Sequence, residues 1–157
     1  MPIYNHFVET AFVINPKYVS MIIPARWMAS GLGLNQFRQN MLSDKRLRML
    51  FDYPASNDVF PNVEIKGGVC YFMWDEFYNG NCNVSTIRNS EVKDSEKRDL
   101  SEFDVFVRDS RSLGILHKIL AKKENSIIEM LAVDKEFGWT SNFSGFHNEQ
   151  KDGDIPI

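Results

Sequence analysis

The sequence predicts an α/β domain, and three stretches carry that prediction. Tyr18 to Ile23 is a run apolar except for Ser20 and closed by Pro24, the pattern of a strand covered on both faces of a sheet. Leu47 to Tyr53 alternates, with Leu47, Met49, Phe51 and Tyr53 on one face and Arg48, Leu50 and Asp52 on the other, as in a half-buried strand. Val69 to Trp74 is apolar on both faces, Val69, Tyr71 and Met73 against Cys70, Phe72 and Trp74. This last strand is therefore expected inside the sheet, nearer the middle than 47–53, which is expected near an edge.

The elements around these strands follow in order. Residues 2–14 place Ile3, Tyr4, Phe7, Val8, Ala11 and Phe12 at helical spacing, which predicts an amphipathic helix. It begins with no polar lead-in, whereas an α/β domain more often begins with a strand, so the natural start is expected upstream. Asn15-Pro16 ends the helix, because proline disfavours helical geometry in the residue before it. Ala25, Arg26 and Trp27 stand just beyond the carboxyl end of the first strand, where open α/β sheets bind ligands. Two readings stay open for each: Trp27 contacts a ligand or packs the sheet edge, and Arg26 contacts a ligand or pairs with an acid. Ser30-Gly31-Leu32-Gly33 lacks the spacing of a dinucleotide fingerprint and reads as a loop.

Asn35 can cap a helix through about Ser43 whose apolar face is Phe37, Met41 and Leu42, with Arg38 pointing elsewhere. Residues 54–66 form a polar loop, and Gly67-Gly68 opens the third strand. Asn79-Gly80 predicts a hairpin into a weaker strand, Asn83 to Ile87. Residues 88–102 are charge-mixed and nearly free of aromatics, which predicts a linker or mobile loop. Beyond it come a short strand, Asp104 to Arg108, and a helix capped by Asp109 or Ser110 with a stripe of Leu113, Leu116, Ile119 and Leu120. Ser126 with Glu129 fits a capping box that opens a helix through about Val133. An aromatic, glycine-spaced segment from Phe137 to Phe146 follows, and the polar tail from Glu149 is expected to be disordered.

Size and composition narrow the function classes. The 157 residues suffice for one domain that buries roughly 70% of its unfolded surface. A net charge of −3 gives no bulk attraction for nucleic acid, so any DNA contact must come from a local basic patch. The longest apolar run is far short of the ~20 residues of a membrane span, and no membrane partner is expected. In the hairpin register just described, Cys70 would face Asn89 and Cys82 would face Phe77, so both thiols are expected to be free and the setting cytoplasmic. The three histidines show no metal-ligand spacing, and no metal site is expected.

Four segments in fixed order carry a family resemblance: Met21-Ile-Ile-Pro-Ala-Arg-Trp27, Gly33-Leu-Asn-Gln-Phe-Arg38, Asp58-Val-Phe-Pro61 and Gly67-Gly-Val-Cys-Tyr-Phe72. With them the chain resembles the N6-adenine DNA methyltransferases of bacterial restriction–modification systems, well over residues 2 to about 88. Pro2-Ile3-Tyr4 with Phe7 resembles the helix after that family's catalytic loop. Phe137-Gly-Trp-Thr-Ser-Asn-Phe143 faintly resembles the start of its target-recognition segment. Asn15-Pro16-Lys17-Tyr18 is similar to the catalytic Asn-Pro-Pro-Tyr itself. That motif follows a buried strand, however, whereas this tetrapeptide follows a helix, so it reads as a helix-to-strand turn.

The resemblance implies a Rossmann-like sheet of seven strands whose last hairpin strand is antiparallel and inserted inside the edge strand. The S-adenosylmethionine loop and the Asn-Pro-Pro-Tyr of the family would both lie before Met1. The chain is thus expected to be the carboxyl half of a catalytic domain, residues 1–88, then a linker or mobile loop, 89–102. The start of a target-recognition or helical segment would occupy 103–157, making a small α+β region. On this reading the chain holds no catalytic residue. Phe60 maps onto the family's base-stacking aromatic, against the alternative that it plugs the core under its loop. Arg26, Trp27 and Lys66 are the DNA-contacting candidates. All four are expected on one rim of the sheet.

The implied partners are double-stranded DNA, the missing amino half or a partner subunit, a restriction endonuclease, and a second copy through the exposed sheet edge. The chain alone is expected to be inactive. The rival readings are a non-catalytic DNA-binding or subunit-docking module of a split methyltransferase, and an unrelated α/β domain with chance motifs.

Overall fold

The computed structural model describes residues 2–29 and 33–124. Residues 1–118 form one compact unit and 119–157 a second. The elements are α1 (Tyr4–Ile14), β1 (Tyr18–Pro24), a 3-10 turn at Ala25–Met28, α2 (Asn35–Ser43), β2 (Leu47–Tyr53), β3 (Val69–Asp75), β4 (Cys82–Arg88), β5 (Glu91–Arg98) and α3 (Ser110–Ala121). The predicted α/β class holds. The expected helix after Ser126, the aromatic segment from Phe137 and the polar tail lie outside the described residues.

The strands form one sheet in the order β1-β3-β2-β4-β5. β3 lies between β1 and β2 and runs antiparallel to both. Its interior place is what the apolar faces of Val69 to Trp74 asked for and its antiparallel insertion is what the resemblance implied, but the middle strand is β2, so β3 is not nearer the middle than residues 47–53 as expected. β2 and β4 are parallel, and β4 and β5 are antiparallel. β2 is therefore interior, not near an edge as its alternation suggested. The polar residues on its second face are accounted for individually: Arg48 bonds Asp75 and Asp52 bonds Arg108.

One face of the sheet is covered. Val19 and Ile23 of β1, Leu50 of β2, Phe72 and Trp74 of β3 and Val84 of β4 pack with Val8 of α1 and Phe37 and Met41 of α2 in a single apolar cluster. Phe12 stacks on Trp74 with centroids 5.3 Å apart, and Trp27 meets Phe37 edge-on at 6.0 Å. The opposite face stays open among the described residues. Tyr18 and Ile22 are exposed, and the Phe51–Tyr71 pair beside them, 5.5 Å apart, is half-buried. The prediction that β1 is covered on both faces is thus corrected. An apolar run says that both faces can be buried; covering them takes a layer that residues 2–29 and 33–124 supply on one side only.

The Asn79-Gly80 turn is a second correction. It does not make a hairpin, because β1 and β2 already occupy both edges of β3. Residues 76–81 instead carry the chain past β2, tied down by Glu76 N–H to Lys17 O at 3.1 Å and Gly80 N–H to Lys45 O at 3.1 Å. The real hairpin comes later, at Asn89-Ser90, where φ is 52° and 60°, the double left-handed pair of a type I′ turn. Its second strand, β5, occupies most of the stretch read as a linker or mobile loop. The Asp104 to Arg108 segment, predicted as a strand, is irregular.

Three local expectations meet mixed results. α1 ends at Asn15 in the left-handed conformation (φ 51°), with Asn15 Nδ2 donating to Glu76 Oε1 at 2.8 Å, so Asn15-Pro16 is the helix-to-strand turn it was read as. Asn35 gives no side-chain cap to α2 and accepts from Arg38 instead. Arg38 itself is buried, clamped by Ala29 O at 2.7 Å and Asp104 O at 2.8 Å.

Candidate functional site

The carboxyl ends of β1, β2 and β4 and the start of β3 make one rim. Backbone pairing fixes it: Pro24 lies opposite Val69, Tyr53 opposite the same residue, and Ala25 N–H donates to Gly68 O at 3.0 Å. Arg26 leaves β1 here and is exposed, and a Cβ on Gly67 would lie 3.4 Å from its Cγ. Lys66 precedes Gly67 and is exposed as well. Gly68 must be glycine. Its φ is 81°, and a Cβ there would meet Tyr53 O at 2.2 Å.

The loop carrying Phe60 is folded around Ser56. The Ser56 hydroxyl donates to Val63 O and accepts from Ile65 N–H, both at 2.8 Å, while Phe60 N–H donates to Ser56 O at 2.8 Å. Phe60 is 38% exposed, so its ring is not sunk into the core. Its loop also reaches the β4–β5 turn, where Asn89 N–H donates to Asp58 Oδ2 at 2.9 Å.

Trp27 does not belong to this surface. It is fully buried, its Nε1 donating to Cys70 Sγ at 3.3 Å and its ring packed against Phe37 and Phe106. Of the two readings left open for it, packing is correct. The reason lies one residue earlier: the 3-10 turn after Pro24 swings successive side chains to opposite sides, so Arg26 faces out and Trp27 faces in. Arg26 makes no hydrogen bond or ion pair among the described residues, nor does Lys66.

A contact that sequence reasoning missed braces the rim from beneath. Arg108 donates to Asp52 Oδ1 at 2.8 Å and to Gly67 O at 2.7 Å. It thereby ties β2 to the glycine hinge of the Phe60 loop. Asp52 is completely buried, and neither its Oδ2 nor the Arg108 Nε has a partner among the described residues. Burial pushes the Asp52 carboxyl above the usual range, while Arg108 pulls the other way. The signal was present in the sequence as an aspartate inside an apolar-rich strand, since a buried acid requires a cation or a donor. Nothing local, however, pointed 56 residues ahead to Arg108.

Both thiols are free and buried, as expected. Burial raises Cys70 and Cys82 each to about 12, so neither is a nucleophile at neutral pH. Among the described residues, no group of three His, Cys, Asp or Glu side chains could hold a metal ion. No described helix is long and apolar enough to cross a membrane. The rim therefore offers an exposed aromatic ring and unneutralised cations, which suit binding.

Comparison with known proteins agrees with the motifs. Residues 1–60 match the model of the Eco57I restriction-modification methylase family. An "uncharacterized adenine-specific methylase" of Mycoplasma pneumoniae is 39% identical over 104 residues, 62% of this chain and 24% of that protein. The chain thus spans about a quarter of that relative's length. The type I restriction-modification methyltransferase subunit of Streptococcus thermophilus aligns with a TM-score of 0.34 and 14% identity over 72% of this chain and 24% of that one, a likeness too slight to carry weight. The resemblance drawn from the segments between Met21 and Phe72 is thus matched independently: this chain is similar to the restriction–modification adenine methylases, in its first 60 residues to the Eco57I family.

Proposed function

We propose that this chain is the carboxyl part of the catalytic domain of an adenine-N6 DNA methyltransferase of a restriction–modification system, acting on double-stranded DNA with S-adenosylmethionine as methyl donor. The amino nitrogen of adenine is a poor nucleophile because its lone pair is delocalised into the ring. An acceptor pair must take its hydrogens and turn the lone pair toward the methyl group. The resemblance implies that those acceptors and the cofactor loop belong to segments preceding the ones matched here. The share of this chain is to hold the extruded base.

The observation that carries this reading is the position of Phe60: a partly exposed residue on a loop folded around Ser56, the same loop that carries Lys66 and at Gly67 meets Arg26. A flipped base is held by stacking on such rings. The stack contributes roughly 1–3 kcal/mol. Arg26 and Lys66 suit the flanking phosphates. In the complete enzyme, Phe60→Ala is expected to lower the methylation rate about tenfold while duplex affinity stays within about twofold, because stacking acts only after flipping. Equal methylation rates for the two proteins would remove Phe60 from the mechanism. The chain alone is expected to bind no S-adenosylmethionine by calorimetry; stoichiometric binding would overturn its assignment as the base-holding part.

A second reading, one subunit of a split methyltransferase, is favoured by the sheet face with Tyr18 and Ile22 and by the outer edge of β1, both uncovered among the described residues. Light scattering on the eluted chain separates the two, since a clean monomer argues against obligatory pairing with a second copy.

A further inference from the structure

A second feature of the rim is not used by the base-holding site. The tip of the β4–β5 hairpin and the first turn of α3 enclose a cleft of about 470 Å³. Arg88, Lys93, Arg108 and Arg111 line it, with Asp94 and Asp109. Its four cations have carboxylate neighbours in Asp94 and Asp109 of the lining and in Glu91 and Asp52 beside it, so what the cleft offers an anion depends on which cations are uncommitted.

The cations differ in how far they are committed. Arg108 is held by Asp52 and Gly67 O and is fixed in place. Lys93 pairs with Glu91, and Arg111 pairs with Asp109 at 2.7 Å. The Arg111 side chain is 88% exposed, so that pair is weak and exchangeable. Arg88 is exposed and makes no hydrogen bond or ion pair among the described residues. The cleft also continues the rim. Arg108 joins it to Gly67, whose neighbour in space is Arg26, and Asn89 joins it to Asp58 on the Phe60 loop.

We propose that this cleft binds a phosphate group of the DNA backbone, with Arg88 as the principal ligand and Arg111 released from Asp109 as the second. The proposal rests on the DNA reading above for the source of the phosphate, and on the geometry of the cleft for the site itself. A phosphodiester here would set the register of the duplex against the Phe60 loop, because the Asp58–Asn89 bond couples the two.

The test uses the 157-residue chain labelled with 15N. Inorganic phosphate and a 16-base-pair duplex are titrated separately, reading the Arg88 Nε–H and Asn89 amide signals. Duplex affinity is then measured against salt for the parent, Arg88→Gln and Lys97→Gln. Lys97 is an equal charge near the opposite end of the β4–β5 pair, facing Asn83. Both probes are expected to shift the Arg88 and Asn89 signals. Arg88→Gln should weaken duplex binding about fivefold and lower the log–log salt slope by about 1, with Lys97→Gln within about twofold of the parent.

Equal losses in the two variants would overturn the site and leave the DNA reading standing. Arg88 shifts with phosphate but no duplex binding would keep the phosphate site and sink the DNA reading. Silence of Arg88 toward phosphate would overturn the site outright.

Discussion

β2 and β5 belong to one sheet, yet they hold their places by different means. β2, between β3 and β4, is fixed by burial: Leu47 and Leu50 are at most 1% exposed and sit in the apolar cluster. β5 pairs only with β4 among the described residues, and its sequence, EVKDSEKR, is exposed along most of its length. There the backbone ladder and the Asn89-Ser90 turn carry the pairing. The contrast teaches that charge in a stretch says it will be wet, not that it will be loose. An edge strand rich in Lys and Glu also discourages pairing with other chains.

The largest test of that contrast compares Phe72→Ala in β3 with Val92→Thr in β5. Phe72 is fully buried and Val92 is 61% exposed. The first should cost about 3–5 kcal/mol in urea unfolding. The second should stay within about 0.5 kcal/mol. Similar losses would mean that the ribbon shares the core's dependence on burial.

Arg108→Met probes the seam between the two regions. It leaves the Asp52 carboxylate buried without a partner. The cost at pH 7 should be about 2–3 kcal/mol, below that of a fully buried pair because Arg108 is a third exposed. The sign with pH is definite. Burial raises the folded Asp52 pKa, and losing Arg108 raises it further, so the native state holds a proton that the unfolded state has released. Stability is then fully present below about pH 3.9 and declines as pH rises through the folded value. The gap between variant and parent should be small near pH 4 and wide at pH 7. A gap independent of pH would mean that Arg108 acts through packing alone.

The smallest effect belongs to the surface. The Lys45 ammonium holds the Asp99 carboxyl down at about 2, helped by Ser101. A depressed carboxyl stabilises above its unfolded pKa and loses that contribution as pH falls through about 2. Asp99→Asn should lower the melting temperature slightly at pH 6, and the difference should shrink toward pH 2. Both groups are near 40% exposed, so salt should erase most of it.

Much of the fold was legible because it rests on side-chain pattern. The runs at Tyr18 and Val69 and the helical spacing of residues 2–14 each name an element, and the apolar faces of Val69 to Trp74 place that strand inside the sheet. What stayed hidden depended on partners distant in sequence. Nothing in EVKDSEKR announces a strand until β4 is there to pair with it. Nothing near Asn79-Gly80 reveals that β3 has no free edge. The site divides in the same way. Arg26 beyond Pro24, and Phe60 and Lys66 on the loop ending at Gly67-Gly68, lie on the side of the sheet that the resemblance implied. Trp27 turned inward on a 3-10 turn that no periodicity marks, and the Asp52–Arg108 pair spans 56 residues.

The insertion of β3 has a consequence for the order in which the chain can be built. Before Val69 to Asp75 arrives, β1 and β2 must stand two strand spacings apart, about 10 Å, with both inner edges unpaired. Neither strand pairs with the other in the finished sheet, so among the five described strands no native pairing forms until residue 75 is free. The closure is then a single late event that fills both edges at once. Such non-local pairing is slow. Any interruption of synthesis between Tyr53 and Val69 would leave two open edges and the large apolar residues around them exposed to aggregation.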